Sequence, residues 1–176
     1  MKKPCLYIFC GLPFAGKTTL AKALVSALRI NRVAIDDINN ERGVWDYEKG
    51  LSAEEWTNTY NEAYRRIGAF LSRGESVIDD SVNFTKEVRE HLRNLAQRYD
   101  ACTIVIYVDI PFSEAHRRWQ ENRQAAMRAD VRDEDFAHVL EHFEPPTEDE
   151  QVLRYDGTIS VEAWISLTFF QRTKEQ

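Results

Sequence analysis

The stretch Gly11-Leu-Pro-Phe-Ala-Gly16-Lys17-Thr18 constrains this chain more than any other. It matches G-x-x-x-x-G-K-[ST] without a mismatch, and its surroundings agree with it. Before it, Cys5-Leu-Tyr-Ile-Phe-Cys10 is a short unbroken apolar run, as in a strand covered on both faces. After it, Leu20, Ala21, Leu24 and Leu28 recur at helical spacing, which predicts a helix from Thr18 to Leu28. Strand, glycine loop and helix in this order make a concave turn. Its backbone N–H groups face inward at the positive end of a helix dipole, an arrangement that suits a chain of phosphates. The residues expected to cradle a nucleotide are Gly11, Leu12, Pro13, Phe14, Ala15, Gly16, Lys17, Thr18 and Thr19. Lys17 reaches the β- and γ-phosphates and the Thr18 hydroxyl holds Mg2+, so ATP and Mg2+ are the expected cofactors.

The rest of the chain alternates strand and helix signals. Arg32-Val-Ala-Ile35 reads as a second strand ending in Asp36-Asp37, with a polar, irregular segment from Ile38 to Gly50. Ser52-Ala-Glu-Glu55 has the form of a capping box, and Trp56, Tyr60, Tyr64, Ile67 and Leu71 continue a helical stripe to Gly74. Ser76 to Asp79 predicts a third strand, Thr85 or Lys86 to Tyr99 a helix, and Cys102 to Asp109 a fourth strand. Ser113 to His142 is helical and arginine-rich, with a break expected near Ala129-Asp130, and Pro145-Pro146 ends it. An edge strand is expected around Thr158 to Val161, then a last helix to about Gln171. Alternating apolar strands and helices predict an α/β fold on a parallel sheet, with ligands at the strands' C-terminal ends. A length of 176 residues with no repeat or linker predicts one domain, 1–176.

Bulk properties narrow the function. A net charge of −6 disfavours a surface built to track an extended nucleic acid. The N-terminal apolar run of about seven residues is far too short to span a membrane, and a cytosolic protein is expected. Cys5, Cys10 and Cys102 include no CxxC pair and lie in strand-like segments, so reduced, buried thiols are expected. The Asn/Thr-Lys-x-Asp segment of a guanine-reading GTPase is absent, as is the hydrophobic run ending in Asp-Glu of a mechanical ATPase.

Four further segments follow the loop in order: Ala34-Ile-Asp36-Asp37-Ile38; Val77-Ile-Asp79-Asp80-Ser-Val-Asn83-Phe84; Glu114-Ala-His-Arg117-Arg118-Trp-Gln-Glu-Asn-Arg123, with Arg128 and Arg132 beyond; and Phe143-Glu-Pro-Pro146 before acidic residues. From Leu6 to about Glu150 the chain resembles the small P-loop kinases related to polynucleotide kinase, chloramphenicol phosphotransferase and zeta toxin. The resemblance implies a three-layer P-loop NTPase fold. About five parallel strands form its centre, with helices on both faces and an arginine-rich helical lid at about 113–143. It also implies that Asp36, or Asp37 beside it, accepts the proton of an acceptor hydroxyl or orients it. Asp80 then serves Mg2+ through water or binds substrate. Asn83 either shapes the loop, donates to the acceptor, or forms an Asx turn capping the next helix. Arg118 and Arg123 would meet the ATP phosphates, although five residues separate them by roughly 140° around a helix. Where many relatives carry an arginine after the strand-end Asp, this chain has Asn39. Arg42 lies further on, as a clamp for an acidic substrate or as a solvent-facing residue. Three activities fit these segments: phosphoryl transfer from Mg-ATP to a hydroxyl of a small or nucleoside-like acceptor, transfer to a 5′-hydroxyl of RNA or DNA, and nucleotide binding by a non-catalytic regulatory module.

Overall fold

The structure is a computed structural model that describes residues 3–44, 50–125 and 130–171. Strands β1 (Cys5–Cys10), β2 (Asn31–Ala34), β3 (Val77–Asp80), β4 (Cys102–Val108) and β5 (Val152–Tyr155) form one sheet in the order β2-β3-β1-β4-β5. Every pairing is parallel. The apolar runs of β1 and β4 therefore lie inside the sheet, where both faces need cover. Helices α3 (Ala53–Ser72) and α4 (Lys86–Gln97) cover one face, meeting Leu6, Ile8, Val77 and Val105. Helices α1 (Lys17–Leu28) and α7 (Val161–Ile165) cover the other, against Phe9, Ile78, Ile106 and Val108. The α7 helix runs on through a wider π-type turn, Ser166–Phe170. Helices α5 (Phe112–Ala125) and α6 (Asp133–Glu141) follow β4. No helix among the described residues is long and apolar enough to cross a membrane. Cys5 and Cys10 are buried and Cys102 is half-buried, and none of the three forms a disulfide among the described residues.

Two expectations are corrected. The polar segment after β2 contains α2 (Ile35–Arg42), so Asp36 and Asp37 occupy a helix's first turn rather than a loop. Ile35 and Ile38 anchor one face of α2, its acidic start suits the helix dipole, and Gly43 at φ 65° terminates it. Residues 45–49 of the expected irregular segment lie outside the described residues. The edge strand is Val152–Tyr155, not Thr158 to Val161. Asp156 accepts hydrogen bonds from Thr158, and the Ser160 hydroxyl caps α7 by accepting from Ala163 N at 3.2 Å, so this stretch is a turn and a helix start. Of the break expected near Ala129-Asp130, Asp130 lies between helices, whereas Ala129 and Arg128 lie outside the described residues.

Beneath the C-terminal ends of β1 and β3 lies a buried ion pair. Arg89 of α4, fully enclosed, donates to both Glu150 carboxylate oxygens at 2.8 and 2.9 Å and to the Asn83 carbonyl at 3.0 Å. Removing one partner strands a charge without solvent. Arg89→Ala is therefore expected to lower stability by about 3–5 kcal/mol in urea unfolding, and Arg89→Met combined with Glu150→Leu to cost much less.

Candidate functional site

The loop after β1 begins with a close approach. A Cβ on Gly11 would stand 2.6 Å from the Val108 carbonyl oxygen, and Gly11 has φ 150°. Gly16, at φ 100°, ends the loop at the N-terminus of α1. Lys17 is buried, and its ammonium donates to the Gly11 and Leu12 carbonyls at 3.0 and 2.7 Å, which places the cation within the loop. Leu12 is half-buried, whereas Pro13, Phe14 and Ala15 are buried. Thr19 is exposed on α1.

The pleat of β3 separates its two aspartates, because successive strand residues point to opposite faces. Asp80 turns toward α1, where its Oδ1 accepts from the Thr18 hydroxyl at 3.3 Å. Its Oδ2 accepts from Arg32 Nε at 2.7 Å, and the same guanidinium donates to Asp37 at 2.8 Å. Arg32 thus joins the Thr18–Asp80 corner to the start of α2. Sequence reasoning treated it only as part of a strand; the signal was a charged residue at the start of an otherwise apolar run. Asp79 turns the other way and is buried beneath α3. Burial pushes its carboxyl up to about 7, helped by the neighbouring Asp80 charge and opposed by the Asn83 amide 2.6 Å away. Asn83 stands in a left-handed conformation, φ 44°, and donates to the Phe9 carbonyl as well, at 2.8 Å. It braces the turn. The Asx-cap reading gives way to Thr85, whose hydroxyl caps α4 by accepting from Val88 N at 3.3 Å.

On the α2–α3 side, Asp36 is exposed. Arg42 donates to the Glu55 carbonyl at 3.1 Å and to the Thr59 hydroxyl, tying α2 to α3 rather than standing open to solvent. Buried Asn39 accepts from Thr59 at 2.6 Å, while its own amide nitrogen has no hydrogen-bond partner among the described residues. Trp56, Tyr60 and Tyr64 stack along α3 with centroids 6.0 and 6.2 Å apart, and burial raises the Tyr60 phenol.

The two arginines of α5 diverge. Arg118 donates to the Ala15 carbonyl at 3.2 Å while Glu114 holds its Nε at 2.8 Å, so its guanidinium stands at the loop. Arg123 lies over the Trp119 ring, 4.2 Å from its centroid, and bonds Asp130, Asp133 and the Val131 carbonyl, all within the α5–α6 region. Their angular separation on the helix accounts for the difference.

A P-loop at the C-terminal end of a five-stranded parallel sheet, with a carboxylate beside its threonine, matches a known family. The model that fits residues 6–146 is described as an AAA domain. The chain belongs to the AAA domain family. This AAA domain protein shares its fold with a candidate kinase from Chloroflexus aurantiacus J-10-fl, at 23% identity and TM-score 0.75 over 100% of both chains. Kti12 from Chaetomium thermophilum, solved with ADP-AlF3, is similar at 22% identity and TM-score 0.74 over 96% of this chain and 97% of that one. The Mycobacterium tuberculosis APS kinase CysC, solved with AMPPNP and APS, gives 16% identity and TM-score 0.63 over 94% and 96%. No curated protein matches the sequence. The AAA domain protein is thus a P-loop NTPase with the build of the small P-loop kinases.

The buried Asp79 carboxyl has a pH signature. Its folded pKa, about 7, lies above its ordinary value of 3.8, so between these values the folded state holds the extra proton. Stability from this group is present in full below about pH 4 and is lost as pH rises to about 7. In metal-free buffer, the stability of wild type relative to Asp79→Asn is expected to fall across that window and level off above it, as chemical denaturation at a series of pH values would record.

Proposed function

We propose that this protein is an ATP-dependent phosphotransferase acting on a hydroxyl of a small or nucleoside-like acceptor, working in the cytosol as one unit with α5–α6 as its lid. The observation that carries the reading is the convergence on one loop of a buried ammonium, a hydroxyl–carboxylate pair and a guanidinium: Lys17, Thr18 with Asp80, and Arg118. Such catalysis is mainly positioning and charge stabilisation, and these groups supply both. The Thr18 hydroxyl and Asp80 carboxylate are hard oxygen donors that suit Mg2+. When bound there, Mg2+ supplies positive charge against the phosphate oxygens.

Lys17 exchanges the Gly11 and Leu12 carbonyls for the β- and γ-phosphates. Arg118, fixed by Glu114 at the mouth of the loop, faces the charge that builds on the transferred group. Asp36, exposed in the first turn of α2, receives the acceptor proton as the acceptor oxygen bonds to the γ-phosphorus and the bond to ADP breaks. Arg32 holds Asp37 and Asp80 in a fixed relation. Arg42 and Asn83 act through the α2–α3 join and the β3 turn, with Arg123 bracing the lid from within.

The test is ADP release and product formation from Mg-ATP against a panel of hydroxyl metabolites, nucleosides, antibiotics and 5′-hydroxyl oligonucleotides. A phosphorylated product is expected that Lys17→Ala abolishes and Asp36→Asn reduces by roughly 10²–10⁴-fold. Wild-type rates in Asp36→Asn would remove the base assignment. ATP binding with no acceptor modified would favour the regulatory module, and product only from oligonucleotides the polynucleotide kinase.

A further inference from the structure

The fourth position of the P-loop pattern carries a phenylalanine in a conformation that suits glycine. Phe14 has φ 62°, the left-handed region in which a side chain costs free energy. Its ring is nevertheless only 6% exposed. It belongs to a third apolar cluster, separate from the two that cover the sheet, formed with Trp119 of α5 and Phe136 of α6, with Val131 packed alongside. The Trp119 and Phe136 rings stack 4.4 Å apart at 10°. Trp119 Nε1 donates to the Val131 carbonyl at 2.8 Å, so these rings hold α5, the approach to α6, and α6 together. Beside them, Arg118 bonds the Ala15 carbonyl. The helix pair thus meets two consecutive residues of the phosphate loop: Ala15 through Arg118, and Phe14 through the Trp119–Phe136 cluster.

We infer that Phe14 is a positioning residue that docks the α5–α6 pair onto the phosphate loop before any nucleotide arrives. A glycine at this position would relax the backbone, so the strained phenylalanine is compensated by burial of its side chain in the cluster with Trp119 and Phe136. Docking sets Arg118 at the loop in advance, and swinging the helix pair away exposes Phe14, Trp119 and Phe136 together. The docking is a property of this chain alone. Its consequence for nucleotide release, which must be slowed by the same contact, rests on the proposed function.

Amide hydrogen exchange of the nucleotide-free protein tests this directly. Phe14→Gly and Phe14→Ala are expected to speed exchange across 112–125 and 133–141 by roughly ten- to a hundredfold, with β1, β3 and β4 as protected as in wild type. Phe14→Leu should restore most of the protection. If Phe14 only shaped the loop, Phe14→Gly would protect at least as well as wild type, because it relieves the strain. Phe136→Ala, which leaves the loop sequence intact, should loosen α5 in the same way and guards against misfolding of the loop variants. Unchanged exchange of the helix pair in Phe14→Gly would overturn the inference, whatever Phe136→Ala does. Release of a fluorescent ADP analogue should be faster in Phe14→Gly and near wild type in Phe14→Leu. Failure of wild type to bind the analogue would count against the proposed function and leave the exchange result to judge the docking.

Discussion

Gly11 leaves β1 so close to the Val108 carbonyl that no side chain fits between them, and the rest of the site follows from that contact. Because β1 lies between β3 and β4, a chain leaving it at this point must turn over the sheet's C-terminal edge. The turn brings the carbonyls of Gly11 and Leu12 within reach of the Lys17 ammonium. It also sets Thr18 above Asp80 on β3 and presents Phe14 to the helices after β4. The loop is therefore held from three sides, by β4 below, β3 beside it and α5 above.

A second organising feature is the pleat of β3. One residue step sends Asp80 toward α1 and the Arg32–Asp37 link, while Asp79 goes beneath α3 with the Asn83 amide as its partner. The two carboxylates have adjacent numbers and unlike environments: one bridged by a guanidinium at the loop, the other desolvated. Beneath Asn83, the Arg89–Glu150 pair joins the turn after β3 to the chain leading into β5. A pair so fully buried adds little net stability compared with an apolar replacement, but it admits only one geometry. Its contribution here is to fix where Asn83 stands and hence how the turn meets β1.

Much of this was legible beforehand because the signals were local. The loop pattern, the capping box at Ser52 and the apolar runs of β1 and β4 depend on neighbours within a few residues, and they appear where the sequence puts them. The misses share one cause. Helix α2 is short, and its Asn39-Asn40 pair and polar surface hide a stripe of only Ile35 and Ile38; it persists through packing on α3. The edge strand lies at Val152 because β4 offers a pairing partner there, which no local rule reveals. Arg32 and Arg89 gave no motif, since an arginine becomes part of a site only through distant carboxylates.

By itself the sequence determined the class of the fold, the order of its elements and the identity of the phosphate loop, because backbone geometry, apolar periodicity and glycine placement are written in contiguous residues. Tertiary structure decided which of several similar side chains face the loop. It placed Asp80 beside Thr18 and Asp79 beneath α3, brought Arg118 to the loop and left Arg123 on Trp119, and buried Phe14 in a cluster with Trp119 and Phe136. The physical reason is that a side chain's role depends on which face of its element it occupies and on what packs there, and both come from residues far away in the chain.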